Sequence, residues 1–124
     1  MKKFLYFITF ILLTSFPVKS ENKNEELNNL FLQLKTEQNI TVASKIESKI
    51  WKLWTTHPSE PSLTELLAEG SHYMSQNQLD NAHKIFSKAI ELDPKWAEAW
   101  NKRATVYYLM GNYELSQNDI DVVL

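Results

Sequence analysis

The chain has 124 residues, room for one domain, and its 13 Lys and Arg against 15 Asp and Glu give a net charge of -2. It has no cysteine, which excludes disulfides, thiolate zinc sites and a thiol nucleophile. The slightly acidic balance argues against nucleic-acid binding, and two glycines are too few for a glycine-rich phosphate loop. The composition is typical of a small helical protein and not of an enzyme.

The N-terminal segment 1–20 has the three-part layout of a secretory signal peptide. Met1–Lys3 is a positively charged start and is followed by the apolar run Phe4–Phe16. Pro17 ends this run, which is shorter than the roughly 20 residues that a bilayer span needs. We expect cleavage between Ser20 and Glu21, which leaves a periplasmic or secreted protein without an integral membrane span. The alternative is an uncleaved run that anchors the N-terminus in the inner membrane.

Residues 21–61 are predicted to hold a helix pair and a proline-containing linker. After a polar lead-in at 22–26, apolar residues recur at helical spacing over Leu27–Leu34. A second helix is predicted over Val42–Trp54, with Thr41 as its N-cap. Two prolines, Pro58 and Pro61, then prevent a helix from continuing. This pair has no repeat pattern and is expected to cap the N-terminal end of the helical region.

Four further helices are predicted after the linker. The first begins at a capping box of Ser62 and Glu65. One helix is expected to end at Asp93, which also caps the next helix. Pro94 is expected to occupy the first position of that next helix. No segment alternates between polar and apolar residues, so the fold class is all-α. The last three helices are predicted over Leu79–Leu92, Trp96–Met110 and Tyr113–Leu124.

The sequence repeats itself when it is shifted so that Tyr73 aligns with Tyr107. Under this shift Leu66 aligns with Trp100, Gly70 with Ala104 and Phe86 with Ile120, which are similar in size and polarity. A period of about 34 residues with these residue types resembles the tetratricopeptide repeat (TPR) family. The chain is identified as an exported bacterial member. The first copy spans about 63–96, and the second, incomplete copy spans 97–124. The residues that carry the resemblance, and are expected to pack between helices, are Leu66, Gly70, Tyr73, Ala82, Phe86, Ala89, Pro94, Trp100, Ala104 and Tyr107.

The resemblance implies an antiparallel helix-pair array, a fragment of an α-solenoid, that binds a protein or peptide and does no chemistry of its own. In the family, side chains of the first helix of each pair line a concave groove. The matching candidates here are Leu67, Ser71, Met74, Asn101, Thr105 and Tyr108. The alternative is that this stripe is solvated surface, or that the N-terminal helix pair covers it.

Two other functions remain open at this point. One is an accessory subunit or fragment of a larger cell-envelope enzyme complex. The other is a glycan or small-ligand binder. The three histidines lack metal-ligand spacing, so no metal site is expected. No cofactor and no nucleic-acid partner are expected either. The side chains for glycan binding would be Trp51, Trp54, Trp96 and Trp100.

Two features depart from the family pattern. Glu69 and Arg103 stand one repeat period apart where a leucine is usual, and we expect them to form an ion pair. The chain ends in mid-helix on the apolar residues Ile120, Val122, Val123 and Leu124, although an array normally needs a polar terminal unit. We expect either that the chain is a truncated form of a longer protein or that this face docks onto something, with self-association through the incomplete second copy.

Overall fold

Residues 19–124 form a succession of α-helices joined by short loops. The computed structural model describes the backbone of residues 19–124 and the side chains of residues 22–124. The helices are α1 (Lys19–Thr36), α2 (Ile40–Thr55), α3 (Pro61–Ser75), α4 (Leu79–Leu92), α5 (Ala97–Leu109) and α6 (Tyr113–Val123). No strand occurs within this described part, and the all-α fold class is confirmed. The predicted signal peptide lies outside the described residues except for the backbone of its last two.

Helices α1 and α2 form a hairpin with a hydrophobic core of its own. Segment 22–26, predicted as a lead-in, is already helical, because Lys and Glu are good helix formers and the helix extends beyond its apolar part. The hairpin is held together by apolar side chains that only the two helices contribute. Its core consists of Leu27, Leu30, Ile46 and Ile50, with Leu34 and Leu53 packed against them.

Helix α2 begins two residues earlier than predicted, after an asparagine. The Oδ1 atom of Asn39 accepts hydrogen bonds from the backbone N–H groups of Thr41 at 2.9 Å and Val42 at 3.2 Å. Asparagine is a stronger N-cap than threonine, and its position places Thr41 inside the helix. The predicted Thr41 cap is wrong.

Helix α3 begins at a proline and not at a capping box. Pro61 occupies the first turn, where its missing N–H costs nothing, and Glu60 precedes it without a side-chain cap. Ser62 therefore lies within the first turn and does not stand before it. The predicted capping box of Ser62 and Glu65 is wrong.

Helices α3, α4 and α5 share the main core. Gly70 allows α3 and α4 to approach closely, because a Cβ at this position would overlap the Phe86 ring, within 2.8 Å of its Cδ1 and Cζ atoms. Among the predicted packing residues, Leu66, Tyr73 and Trp100 are partly buried against this core, whereas Pro94 is exposed. The buried residues of the core are Leu63, Leu67, Ala82, Phe86, Ala89, Ile90, Trp96, Ala99 and Val106.

The α3–α4 and α5–α6 pairs turn in the same way. Asn77 after α3 and Gly111 after α5 have φ values of 57° and 80°, both in the left-handed region, and they stand one repeat period apart. The N–H of the residue that follows each of them donates to a carbonyl five positions back, that of Tyr73 at 2.9 Å or Tyr107 at 2.8 Å. This is a Schellman motif at each helix end. The repeat period is therefore present in the backbone as well as in the side chains.

Arg103 pairs with a carboxylate on α6. Its Nε and Nη2 atoms donate to the two carboxylate oxygens of Asp119 at 2.7 and 2.8 Å, and its Nη1 atom donates to Ser87 Oγ at 3.2 Å. Asp119 is buried, whereas Glu69 is exposed and forms no ion pair within residues 22–124. The predicted Glu69–Arg103 pair is wrong, because the planar guanidinium fork meets both oxygens of a carboxylate on its own helix partner.

Helix α6 and the C-terminal residue carry several exposed apolar side chains. Tyr113 is 64% exposed and Leu124 is 95% exposed, and Leu115 and Val122 are also exposed. Exposed apolar side chains favour association. Self-association through the incomplete second copy stays a prediction.

We expect Gly70→Ala to lower the free energy of unfolding by about 1–3 kcal/mol, because the added methyl group overlaps the Phe86 ring. Isoleucine stands at the position equivalent to Phe86 in the second pair, at Ile120. The combination Gly70→Ala/Phe86→Ile should therefore cost less than the sum of its two single changes. Urea unfolding followed by circular dichroism measures this difference, and strictly additive effects would contradict the overlap.

We expect Asp119→Ala to lower the free energy of unfolding by about 2–4 kcal/mol, because it leaves a partly buried guanidinium without its partner. The control Glu69→Ala should stay within about 0.5 kcal/mol of the wild type. Double-mutant cycles measure the coupling directly. Arg103→Ala should couple strongly to Asp119→Ala and not to Glu69→Ala. Strong coupling to Glu69→Ala instead would support the predicted Glu69–Arg103 ion pair.

Candidate binding surface

One side of α5 presents a mixed polar and aromatic stripe. Residues three and four positions apart lie on the same side of a helix, which places Glu98, Asn101, Lys102, Thr105 and Tyr108 together. Asn101 and Thr105 are exposed, and Tyr108 is 62% exposed. The Thr105 hydroxyl donates to the carbonyl of Asn101 at 3.0 Å, so its oxygen remains an acceptor for a partner.

The six predicted groove residues do not line a single groove. Leu67 is 1% exposed and belongs to the core, so little of its side chain is available to a partner, although it borders a shallow groove with Ser71. Met74 is partly buried and also packs against the core. The structure thus leaves Asn101, Thr105 and Tyr108 of α5 as the accessible part of the predicted stripe, with Ser71 half-buried on α3.

Two separate shallow grooves run beside the predicted residues. The first, of about 250 Å³, lies between the end of α2 and α3 and includes Thr55 and Ser71. The second, of about 210 Å³, lies between α5 and α6 and includes Thr105, Tyr108 and Ser116. The predicted stripe is therefore divided between two helix pairs, and α2 borders its α3 part.

The hairpin lies against the same side of α5 that carries the stripe. The Nζ atom of Lys102 is 6.0 Å from the centroid of the Trp51 ring on α2, at the limit of a cation–π contact. Lys23 of α1 lies close enough to Glu98 to attract its carboxylate, and it donates to the carbonyl of Thr56 at 3.1 Å. Nothing in the sequence pattern indicated Lys23, because its contacts arise only from the folded position of α1.

Glu98 is a carboxylate in a largely buried setting. Burial raises its pKa, and the ammonium of Lys102, the amide of Asn101 and the ammonium of Lys23 act in the opposite direction. The Lys102 Nζ atom is 3.8 Å from Glu98 Oε1, which is too far for a hydrogen bond. Glu98 Oε1 is buried and accepts no hydrogen bond from the described residues. It is an unsatisfied acceptor beside the exposed stripe.

His57 fastens the α2–α3 linker to the α4–α5 loop. Its ring is 7% exposed, and its Nε2–H donates to Asp93 Oδ2 at 2.8 Å. The Nδ1 atom accepts the backbone N–H groups of Ser59 at 3.2 Å and Glu60 at 2.9 Å. Since Nδ1 accepts, the ring proton that is donated to Asp93 is on Nε2. The ring also packs edge-on against Trp96, with 4.9 Å between centroids.

The Asp93 carboxylate therefore binds the linker and does not cap α5. Its Oδ1 atom accepts the N–H of Lys95 at 3.0 Å, and α5 begins at Ala97 after Trp96. The prediction that Asp93 caps the helix with Pro94 at its first position is wrong, because the chain makes one more turn before α5. The hydrogen bond from His57 lowers the pKa of the Asp93 carboxyl, against the opposing effect of burial.

The four tryptophans do not share one surface. Trp51 and Trp54 are exposed on the hairpin, but their planes meet at 86°, with 5.3 Å between centroids. Trp96 is buried, and the indole N–H of Trp100 donates to the Pro94 carbonyl at 2.8 Å. A flat platform of parallel rings, such as a sugar ring would stack on, is not formed by these four residues.

The remaining histidines have structural partners. His83 Nε2 lies 2.8 Å from the hydroxyl of Tyr107, and His72 Nε2 lies 3.1 Å from the Gln76 amide. Within the described residues, no group of three or more His, Asp or Glu side chains converges as a metal site would require. In that same part of the chain, no helix is both long enough and apolar enough to cross a membrane.

A family model described as TPR repeat matches residues 70–111, from the second half of α3 through α4 to the turn after α5. Residues 70–111 are therefore similar to this repeat. The match spans the Gly70–Phe86 contact and both left-handed turn residues described above. TPR arrays are typically non-catalytic scaffolds that mediate interactions between proteins.

Two relatives contain the same repeat. A TPR repeat-containing protein of Rhizobium etli is 34% identical over 131 residues, which cover 94% of this chain and 64% of that protein. A tetratricopeptide repeat and J domain-containing co-chaperone of Cryptococcus neoformans is 30% identical over 67 residues, which cover 54% of this chain and 13% of that protein. The chain thus spans less than two thirds of the length of either relative. No solved structure matches the chain.

We expect His57→Ala to reduce the dependence of the free energy of unfolding on pH at acid pH. Because the folded pKa of Asp93 is lowered, its carboxylate contributes stability above the unfolded pKa of about 4 and loses it as the pH falls through the folded value. Without His57 the largest part of this contribution is lost, and only the smaller effect of Lys95 remains. Urea unfolding measured from neutral pH down to acid checks this. The exposed-histidine control His72→Ala should keep the wild-type slope, and an equal slope in His57→Ala would contradict the assignment.

Proposed function

We propose that this protein is an exported TPR scaffold that binds a segment of a protein partner along the exposed side of α5 and does no chemistry of its own. One observation carries the proposal. Asn101, Thr105 and Tyr108 are exposed on one side of α5, the first helix of the second pair. These side chains are accessible to a partner, whereas Leu67 of the first pair, at the position equivalent to Asn101, is covered.

The chemistry of this surface suits protein recognition. It offers an amide, a hydroxyl oxygen and a phenol, and tyrosine is enriched where proteins meet. The Tyr108 ring is supported by Tyr113, with 5.3 Å between centroids, so little side-chain freedom remains to be lost on binding. The Arg103 guanidinium is paired with the Asp119 carboxylate, so it is not one of the binding groups of this surface.

We expect the change Asn101→Ala/Tyr108→Ala to reduce capture of a partner from the native host's envelope extract by about ten-fold or more. The side chains are exposed, so helicity and melting temperature should stay near the wild-type values. A matched control is Asn81→Ala/Leu92→Ala, which removes an exposed amide and an exposed apolar side chain from α4.

Quantitative mass spectrometry of the captured proteins compares the three forms. Loss of the same partner in the α4 control would show that capture does not depend on the α5 surface. Full capture by Asn101→Ala/Tyr108→Ala, with loss on altering the hairpin, would place the binding site on the hairpin instead.

Export forms the second part of the proposal and is supported by the leader layout of residues 1–20. Protein purified from its native host should begin at or near Glu21, as read by intact-mass and N-terminal peptide analysis. An intact Met1 on protein that partitions into membranes would favour the N-terminally anchored alternative.

A further inference from the structure

We propose that the α1–α2 hairpin is a built-in occupant of the Glu98–Lys102 end of the binding side of α5, and that the partner segment which replaces it carries a basic and an aromatic side chain. This inference rests on the proposed function, since it concerns the same side of α5. It adds the chemical class of the partner and an intramolecular competitor.

The hairpin and the repeat helices are separate packing units. The hairpin core of Leu27, Leu30, Ile46 and Ile50 shares no side chain with the core built by α3, α4 and α5. The hairpin core therefore takes no side chain from α5. Its position on α5 depends on the linker and on a few side chains at the seam between the two units.

The seam shows which chemistry α5 accepts. Helix α5 offers the Glu98 carboxylate and the Lys102 ammonium one helical turn apart. On the hairpin side, Lys23 borders the same cavity as Glu98 and its ammonium attracts that carboxylate, and the Trp51 ring centroid lies 6.0 Å from the Lys102 Nζ atom. A basic group paired with Glu98 and an aromatic ring paired with Lys102 are thus the complementary partners of this surface.

The hairpin fills the seam incompletely. A cavity of about 330 Å³ remains between the two units, with Leu27 and Trp54 on one wall and Trp96 and Glu98 on the other. Glu98 Oε1 accepts no hydrogen bond from the described residues although it is buried, and Trp51 stays 55% exposed. A segment that donates to Oε1 and covers Lys102 more closely would satisfy groups that the hairpin leaves unsatisfied.

The spacing suits an extended segment. The Cβ atoms of Glu98 and Lys102 are about 5–6 Å apart on the helix surface. Side chains two positions apart in an extended strand are about 6.5–7 Å apart and point to the same side. A Lys-X-Trp pattern places its ammonium at Glu98, to which Lys23 donates no hydrogen bond, and its indole at Lys102.

The first test measures whether the hairpin separates from α5 when its contacts are removed. This measurement requires no partner protein. The chain has no cysteine, so cysteines introduced at the exposed Ser48 of α2 and Lys84 of α4 carry nitroxide labels selectively. Pulsed electron resonance should give one narrow distance in the otherwise wild-type chain and a broad distribution in Lys23→Ala/Trp51→Ala. The control Leu32→Ala/Lys45→Ala alters exposed hairpin side chains that the seam does not use, and it should keep the narrow distance.

The second test asks what replaces the hairpin. The probes are fluorescein-labelled, end-blocked peptides that contain Lys-Gly-Trp or Glu-Gly-Trp between Gly-Ser flanks. We expect Lys23→Ala/Trp51→Ala to bind the Lys-Gly-Trp peptide about ten-fold more tightly than the wild type, since an occluded site lowers apparent affinity. Glu98→Gln should remove the preference for lysine over glutamate.

Several results would overturn the proposal. A broad label distance in the wild-type chain, or a narrow one in Lys23→Ala/Trp51→Ala, would show that these contacts do not hold the hairpin. Equal peptide affinity in the wild type and the variant would exclude competition. Failure of every peptide to bind, or a preference for glutamate, would overturn the partner chemistry, while the capture assay on Asn101 and Tyr108 separately decides the proposed function.

Discussion

The hydrogen bond between His57 and Asp93 fixes where the linker leaves the repeat helices, and the contacts at the seam on α5 then position the hairpin. Each half buries its own core, and neither core determines how the halves meet. The buried His57 ring joins the linker to the α4–α5 loop, while its Nδ1 atom holds the backbone that leads into α3. These contacts together place the hairpin at the Glu98 end of the α5 stripe and leave the Tyr108 end exposed.

Charge on α5 is distributed so that its exposed side is nearly neutral. Arg103 is paired with Asp119 on the neighbouring helix, and Lys102 lies beside Glu98. A partner therefore gains little from long-range attraction and must be recognised by contacts at short range, through hydrogen bonds and aromatic packing. Such surfaces derive specificity from desolvated contacts more than from net charge.

Helical periodicity and residue size were sufficient to predict the helices and the close approach at Gly70, because these depend on local geometry and on volume. Helix ends were less predictable, because neighbouring residues compete to form each cap, and Asn39 caps α2 in place of Thr41. The binding stripe was predicted only in part. Whether a helix side is exposed depends on what packs over it, which separates Leu67 from the exposed Asn101 at the equivalent position. The ion pair of Arg103 with Asp119 and the docking of the hairpin are tertiary contacts that the repeat period does not specify.

The paired left-handed residues Asn77 and Gly111 determine where the chain tolerates a change of length. At each of these positions, one positive φ angle and one hydrogen bond fix the direction of the second helix of the pair. The hydrogen bond joins the next backbone N–H to a carbonyl five positions back. One inserted residue in either turn would break that bond and rotate the next helix out of its packing register. The linker at 56–60 and the α4–α5 loop at 93–96 have no such backbone motif, but His57 and Asp93 tie them to each other. Length variation in residues 19–124 is therefore best accommodated at 37–38, between α1 and the Asn39 cap of α2, which lies away from both constraints.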